Sequence, residues 1–224
     1  MDAIDTLHRP QIKICGLTST RDAEACATAG ADAIGFISYP KSPRHLPDQA
    51  IRRITAHLPD KVCPVGVFVN ENLDRIMRAV TIGGLRAVQL HGNETPELVK
   101  ALTGEGLIVI KALFINGNPA LEAANRYPAT AFLIECAGGP LPGGNAMDWN
   151  WSDARRLPSD QPVLLAGGLT PHNVTKAIAA GSPAAVDVSS GVEMSPGCKD
   201  IDKVAAFCRA VATSQKTGRK KIFE

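Results

Sequence analysis

Short apolar runs alternate with stretches of helical periodicity along this chain, and the alternation continues from residue 12 to about residue 210. The short apolar runs at 12–15, 33–37, 64–69, 87–90, 108–113, 131–134, 163–166 and 184–188 read as strands, and the unbroken run at 163–166 suits a strand buried on both faces. Between them the apolar residues fall three and four apart. Ala23, Cys26, Ala27 and Gly30 follow Ser19-Thr20, Ile51, Ile54 and Leu58 follow the second run, and Leu73, Ile76, Met77 and Val80 follow the third. Thr95-Pro96-Glu97 reads as a cap with proline at the first helical position. A weaker helix is expected near residues 121–125. Thr170-Pro171 reads as a second cap and first helical residue, with Val174, Ala177, Ile178 and Gly181 on one face behind it, and Ile201, Val204, Ala205 and Cys208 form the last face.

Eight strand and helix units in one chain of 224 residues predict an α/β protein, a single-domain (β/α)8 TIM barrel over residues 1–213. An open doubly wound sheet has the same alternation. It usually binds phosphate through GxGxxG after the first strand, whereas this first strand runs into CGLT. The segment SQKTGRKKIFE, residues 214–224, reads as a solvated basic C-terminal tail.

Composition narrows the ligand. Hydrophobic residues make up 45% of the chain, enough to fill a core, and the formal charge is only +2 with no basic stripe before the C-terminus. Nucleic acid and membrane surfaces are not expected partners, and a small phosphorylated molecule is. Six cysteines without CxxC spacing and five histidines without clustering point to a reducing setting and to no metal, and with no apolar run of membrane-spanning length and no signal-peptide pattern the protein is expected to be cytoplasmic. The chain is expected to act as a monomer.

The stretch 162–193 carries the clearest chemistry. Gly167-Gly168 follows the seventh strand, and Ser189-Ser190-Gly191 follows the eighth. Small residues with free backbone N–H groups on two neighbouring strand ends suit an anion, and barrels often hold phosphate there. Side chains for chemistry should lie at the same rim. The candidates are Cys15, Arg44, His91, Glu135 and Asp187. Taken alone, Cys15 reads as packing and His91 as a satisfied structural histidine, while a carboxylate such as Glu135 or Asp187 ending an apolar strand is costly without a partner or a function. The Gly- and Pro-rich run CAGGPLPGGNAMDWNW reads as a loop over the strand ends.

KICGLT at 13–18, GFISYPKSPR at 35–44, VQLHG at 88–92, LAGGL at 165–169 and DVSSGVEMSPGCKD at 187–200 together resemble phosphoribosylanthranilate isomerase. The resemblance implies an Amadori rearrangement of N-(5'-phosphoribosyl)anthranilate in tryptophan biosynthesis, without metal or organic cofactor. It gives Cys15 the role of general base and Glu135 that of general acid, with Lys13 on the same strand face placed to favour the thiolate. Arg44 would meet the anthranilate carboxylate, Asp187 the ribose hydroxyls, and Gly167, Gly168, Ser189 and Ser190 the 5'-phosphate. The chain departs from the family at Glu135, where an aspartate is usual. In the loop at 143–151 the glycine pair and final tryptophan remain, but Asn145, Ala146 and Asn150 differ. A barrel isomerase of another phosphoribosyl amine would call for aspartate at Cys15, and a catalytically silent barrel would keep the phosphate cradle and lose the acid.

Overall fold

The computed structural model describes residues 7–136 and 149–224. Eight parallel strands close into a barrel in sequence order: β1 (Gln11–Cys15), β2 (Ala33–Ile37), β3 (Cys63–Phe68), β4 (Ala87–Leu90), β5 (Ile108–Phe114), β6 (Ala131–Glu135), β7 (Val163–Leu165) and β8 (Ala185–Val188), with β8 pairing back onto β1. Residues of each strand that face outward, such as Ile12, Ile14, Phe36, Leu90, Ile134 and Leu165, pack under the helices. The alternate residues face the barrel axis, where alanines 33, 87, 112, 131 and 185 leave room for larger neighbours.

The helices start and stop where local chemistry dictates. Ser19, Asn72, Thr95 and Asp200 each accept a backbone N–H three residues on, opening α1 (Thr20–Ala29), α3 (Leu73–Gly83), α4 (Pro96–Gly104) and α6 (Ile201–Ala212). α2 (Asp48–Thr55) starts after Pro47 without a side-chain cap. Three expectations need correction. After β5 and β6 the connections are 3-10 turns at Leu121–Arg126 and Trp151–Arg156 rather than α-helices. Each ends at the residue before a proline, Tyr127 and Leu157, and both residues are held extended because proline clashes with an α-conformation preceding it.

The fifth helix, α5 (Val174–Gly181), begins four residues later than Thr170. Asn173 is the reason: its side-chain oxygen accepts the Thr170 N–H at 2.7 Å and its side-chain amide donates to the Gly168 carbonyl at 2.9 Å, so 170–173 form a turn that pins the glycine loop.

Residues 214–224 are not a solvated tail. They cross the N-terminal end of the barrel, where Ile222 and Phe223 are 4% and 7% exposed and pack among Ala33, Cys63, Ala131 and Leu164. Gln11, the first inward residue of β1, clasps them: its side-chain oxygen accepts the N–H groups of Ile222 and Phe223 at 2.7 and 3.0 Å, and its amide donates to the Phe223 carbonyl at 2.7 Å. The Arg219 guanidinium donates to the carbonyls of Leu157, Pro158, Gln161 and Ser182, completing the seal. Lys220 and Lys221 stay at the surface, so the charge that made the segment look solvated stays in water while the apolar pair goes under.

Candidate active site

Because strand side chains alternate, the inward positions at the C-terminal ends of the strands converge on one mouth. A pocket there is lined by Cys15, Arg44, Gln89, His91, Glu135, Gly167, Gly168, Asp187, Ser189 and Ser190, among others. The structure therefore brings together Cys15, Arg44, His91, Glu135, Asp187 and the glycine and serine pairs expected from the sequence.

Cys15 ends β1 and is 6% exposed. Gly35, its register partner on β2, has no side chain for a physical reason: a Cβ there would lie 2.7 Å from the Cys15 sulfur. Lys13, two residues back on the same face of the strand, is wholly buried and donates to Asp187 Oδ1 at 3.0 Å. Burial pulls the lysine's pKa down, but Asp187 and Cys15 outweigh it and the value lies above the ordinary one. Burial pushes the Cys15 thiol up, and the nearby Lys13 charge offsets that only in part. The Asp187 carboxylate, which holds Lys13, adds to the upward push on the thiol.

Glu135 ends β6 and is 6% exposed. Its Oε1 lies 3.1 Å from His91 Nε2, and His91 Nδ1 lies 2.9 Å from the side-chain amide nitrogen of Gln89. The His91 ring meets Phe114 edge-on, with centroids 5.6 Å apart, so it is fixed on a second side. Gln89 and His91 are both inward residues of the β4 strand and its end. His91 thus has a specific partner in the site.

Arg44 arrives from the loop after β2. Its Nε and Nη2 donate to the two oxygens of Glu193 at 2.9 and 2.7 Å, a fork-to-fork pair buried beside the pocket. Donating these hydrogen bonds to Glu193 raises the arginine above its ordinary value. Burial would raise Glu193, but Arg44 and Lys199 outweigh it and the carboxyl falls below the usual range. Lys199, 1% exposed, donates to Glu193 Oε1 at 2.8 Å, to the Cys15 carbonyl at 2.6 Å and to the Ser189 carbonyl at 3.2 Å. One ammonium group therefore ties the end of β1, the loop after β8 and the Arg44 support together. Sequence reasoning did not single out Glu193, Lys199 or Gln89, although all three stand inside motifs that carried the resemblance.

Gly167 and Gly168, at φ +84° and +66°, and Ser189 and Ser190, the residues expected to hold an anion, line one side of the pocket. Such φ values suit glycine. Trp149 closes over this loop, its indole N–H donating to the Ala166 carbonyl at 2.9 Å. A Cβ at Gly167 would lie 3.0 Å from the Trp149 ring nitrogen, so this tryptophan sits against the glycine loop. The rest of the expected loop, 137–148, lies outside the described residues. Among the described residues no group of three His, Cys, Asp or Glu side chains could hold a metal ion, and no helix is long and apolar enough to cross a membrane.

The sequence model of N-(5'-phosphoribosyl)anthranilate (PRA) isomerase matches residues 12–210. An N-(5'-phosphoribosyl)anthranilate isomerase of Desulfatibacillum aliphaticivorans is 47% identical over 214 residues, covering 95% of this chain and 98% of its own length. The crystal structure of the phosphoribosyl anthranilate isomerase from Thermotoga maritima is 40% identical with a TM-score of 0.81, covering 90% of this chain and 98% of that one. A crystal structure of a phosphoribosyl anthranilate isomerase in complex with reduced 1-(o-carboxyphenylamino)-1-deoxyribulose 5-phosphate is 38% identical with a TM-score of 0.78, over 90% of this chain and 98% of its own. A closed barrel with a cysteine, a carboxylate and a glycine-serine cradle at one mouth, matched over nearly its whole length, belongs to the N-(5'-phosphoribosyl)anthranilate isomerase family.

Proposed function

We propose that this chain catalyses the Amadori rearrangement of N-(5'-phosphoribosyl)anthranilate to 1-(2-carboxyphenylamino)-1-deoxyribulose 5-phosphate, a step of tryptophan biosynthesis. The observation that carries the reading is the placement of Cys15 and Glu135 in one pocket whose rim is the cradle of Gly167, Gly168, Ser189 and Ser190. Glu135 gives a proton to the ribose ring oxygen, the C1'–O bond breaks, and the nitrogen lone pair forms an iminium. Cys15 then takes the C2' proton, the C–H electron pair moves to the C1'–C2' bond, and the iminium nitrogen is neutralised as an enolamine. Tautomerisation to the ketone completes the reaction. The substrate's own nitrogen is the electron sink, so general acid and base suffice.

The supporting groups follow from their chemistry. The 5'-phosphate would meet bare amides in the cradle. Two of the Arg44 nitrogens are held by Glu193, which leaves Nη1 for the anthranilate carboxylate and keeps the side chain from swinging. Asp187, set by Lys13, would accept ribose hydroxyls.

Purified protein supplied with N-(5'-phosphoribosyl)anthranilate should deplete the substrate's fluorescence. Cys15→Ser and Glu135→Gln should each fold, bind substrate and lose roughly 10²-fold or more in kcat, the ordinary loss for a removed proton-transfer group. Absence of turnover would leave a silent barrel, and full activity of either variant would remove that residue from its role.

A further inference from the structure

We propose that Gln89 is a positioning residue that fixes the tautomer of His91, so that His91 donates to Glu135 rather than competing for its proton. The inference rests on Glu135 being the acid. Gln89 is 2% exposed, His91 5% and Glu135 6%, and the three form one chain of contacts leading into the pocket. The Gln89 side-chain nitrogen has only N–H bonds to offer, so at 2.9 Å it makes His91 Nδ1 the acceptor. A neutral imidazole carries one proton, which must then be on Nε2. That N–H faces Glu135 Oε1 at 3.1 Å. Oε1 is therefore occupied as an acceptor, and the transferable proton belongs on Oε2. Once that proton has gone to the ring oxygen, the His91 N–H stays to support the carboxylate left behind.

The opposite amide orientation has a different chemical outcome. The Gln89 oxygen would require a proton on Nδ1, and Nε2 would become an acceptor that draws the Glu135 proton away from substrate. It would also leave the two N–H donors of a buried amide without protein partners. In the observed orientation Gln89 Oε1 is left without one, while one of the two N–H bonds is engaged by His91. A buried polar atom without a partner costs stability, which an apolar side chain of the same length would not incur. The amide is accounted for by what its donor does to His91.

The test is histidine-selective ¹⁵N labelling of the full-length enzyme. Of the five histidines, His91 is assigned by loss of its signal in His91→Asn. The wild-type spectrum should show His91 protonated on Nε2 alone. Gln89→Glu puts an acceptor where the donor was and should move the proton to Nδ1 or add a second one. Gln89→Met keeps length without a donor and should leave a mixture of tautomers. Both variants should lose about tenfold in kcat, a fraction of what general acid catalysis supplies, with KM within about twofold. A wild-type Nδ1–H tautomer overturns the proposal without any variant, and so does an unchanged kcat in Gln89→Met. Glu135→Gln measured in parallel separates the two readings. Full activity there removes the acid assignment itself, whereas an inactive Glu135→Gln beside an unaffected Gln89→Met removes only the role given to Gln89.

Discussion

Replacing Phe223 by alanine should destabilise the protein and leave catalysis alone. Phe223 is the second-last residue of the chain, yet it is 7% exposed and fills the floor of the barrel with Ile222. Truncating a buried phenylalanine costs about 3–5 kcal/mol. For a chain of this size about 3 kcal/mol corresponds to a fall in Tm of roughly 6–12 °C. Gln11→Ala should cost about 2 kcal/mol, since the N–H groups of Ile222 and Phe223 lose their acceptor and the Phe223 carbonyl its donor. The two changes should be less than additive, because either one loosens the same segment. Urea and thermal unfolding of the two single variants and the double variant measure this. Kinetics measure the second half of the expectation: chemistry sits at the opposite end of the barrel, so kcat and KM should stay within about twofold. An unchanged Tm for Phe223→Ala would mean the segment is not docked in solution. A large fall in kcat at unchanged stability would refute the separation of floor from mouth.

Arg44→Lys keeps a charge but cannot hold both Glu193 oxygens and a substrate carboxylate, so KM should rise about tenfold with a smaller change in kcat; equal kinetics would mean that Arg44 serves Glu193 alone. Gly168→Ala puts a side chain at φ +66° on the cradle, which should cost about 1–2 kcal/mol in folding and raise KM several-fold, and a wild-type KM would remove Gly168 from phosphate binding. Glu135→Asp draws the carboxyl back by about 1 Å and off His91 Nε2, so kcat should fall, on the order of 10²-fold; a faster enzyme would mean the site is still shaped for the shorter acid. Burial pushes Cys26 up to about 12 and Cys63 and Cys208 up to about 11, above the ordinary value of about 8.5. The unfolded chain then releases these protons first, so the stability they contribute is full below about pH 8.5 and is lost as pH rises toward 11. Urea unfolding at about pH 7.5 and about pH 10 should show the decline, with a shallower one in Cys63→Ala, and equal slopes would refute the assignment.

The barrel was legible because the strands, buried on both faces, read as short runs that are mostly apolar, and because Ser19 and Thr95 announce their helices in the local sequence. Where the reading failed, a side-chain contact had overridden the local pattern, once from nearby and once from far along the chain. Thr170-Pro171 has the local form of a helix start, but the Thr170 N–H is taken by Asn173 and the turn is held against Gly168. Residues 214–224 look solvated because Arg219, Lys220 and Lys221 dominate them. Their burial depends on Gln11, more than two hundred residues away, and on carbonyls left open by 157–161 and Ser182.

The same distinction separates the parts of the site. Cys15, Glu135, Asp187 and the glycine and serine pairs stand at strand ends, a position that the apolar runs mark by themselves. Lys13, Lys111 and Lys199 could not be found that way, since lysine is among the residues least often buried. Each is 0% or 1% exposed, and each is matched to a carboxylate: Asp187, Glu94 and Glu193. Breaking such a pair leaves a charge uncompensated in low dielectric, so the partners must be retained together. Their separations in sequence range from Glu193–Lys199, six residues apart, to Lys13–Asp187, 174 apart. Only the near pair lies within a single motif; the far one exists because β8 closes the barrel onto β1. Closure of the barrel is therefore what places Asp187 beside Lys13 and Cys15. The chemistry of the first strand end is incomplete until the last strand has docked.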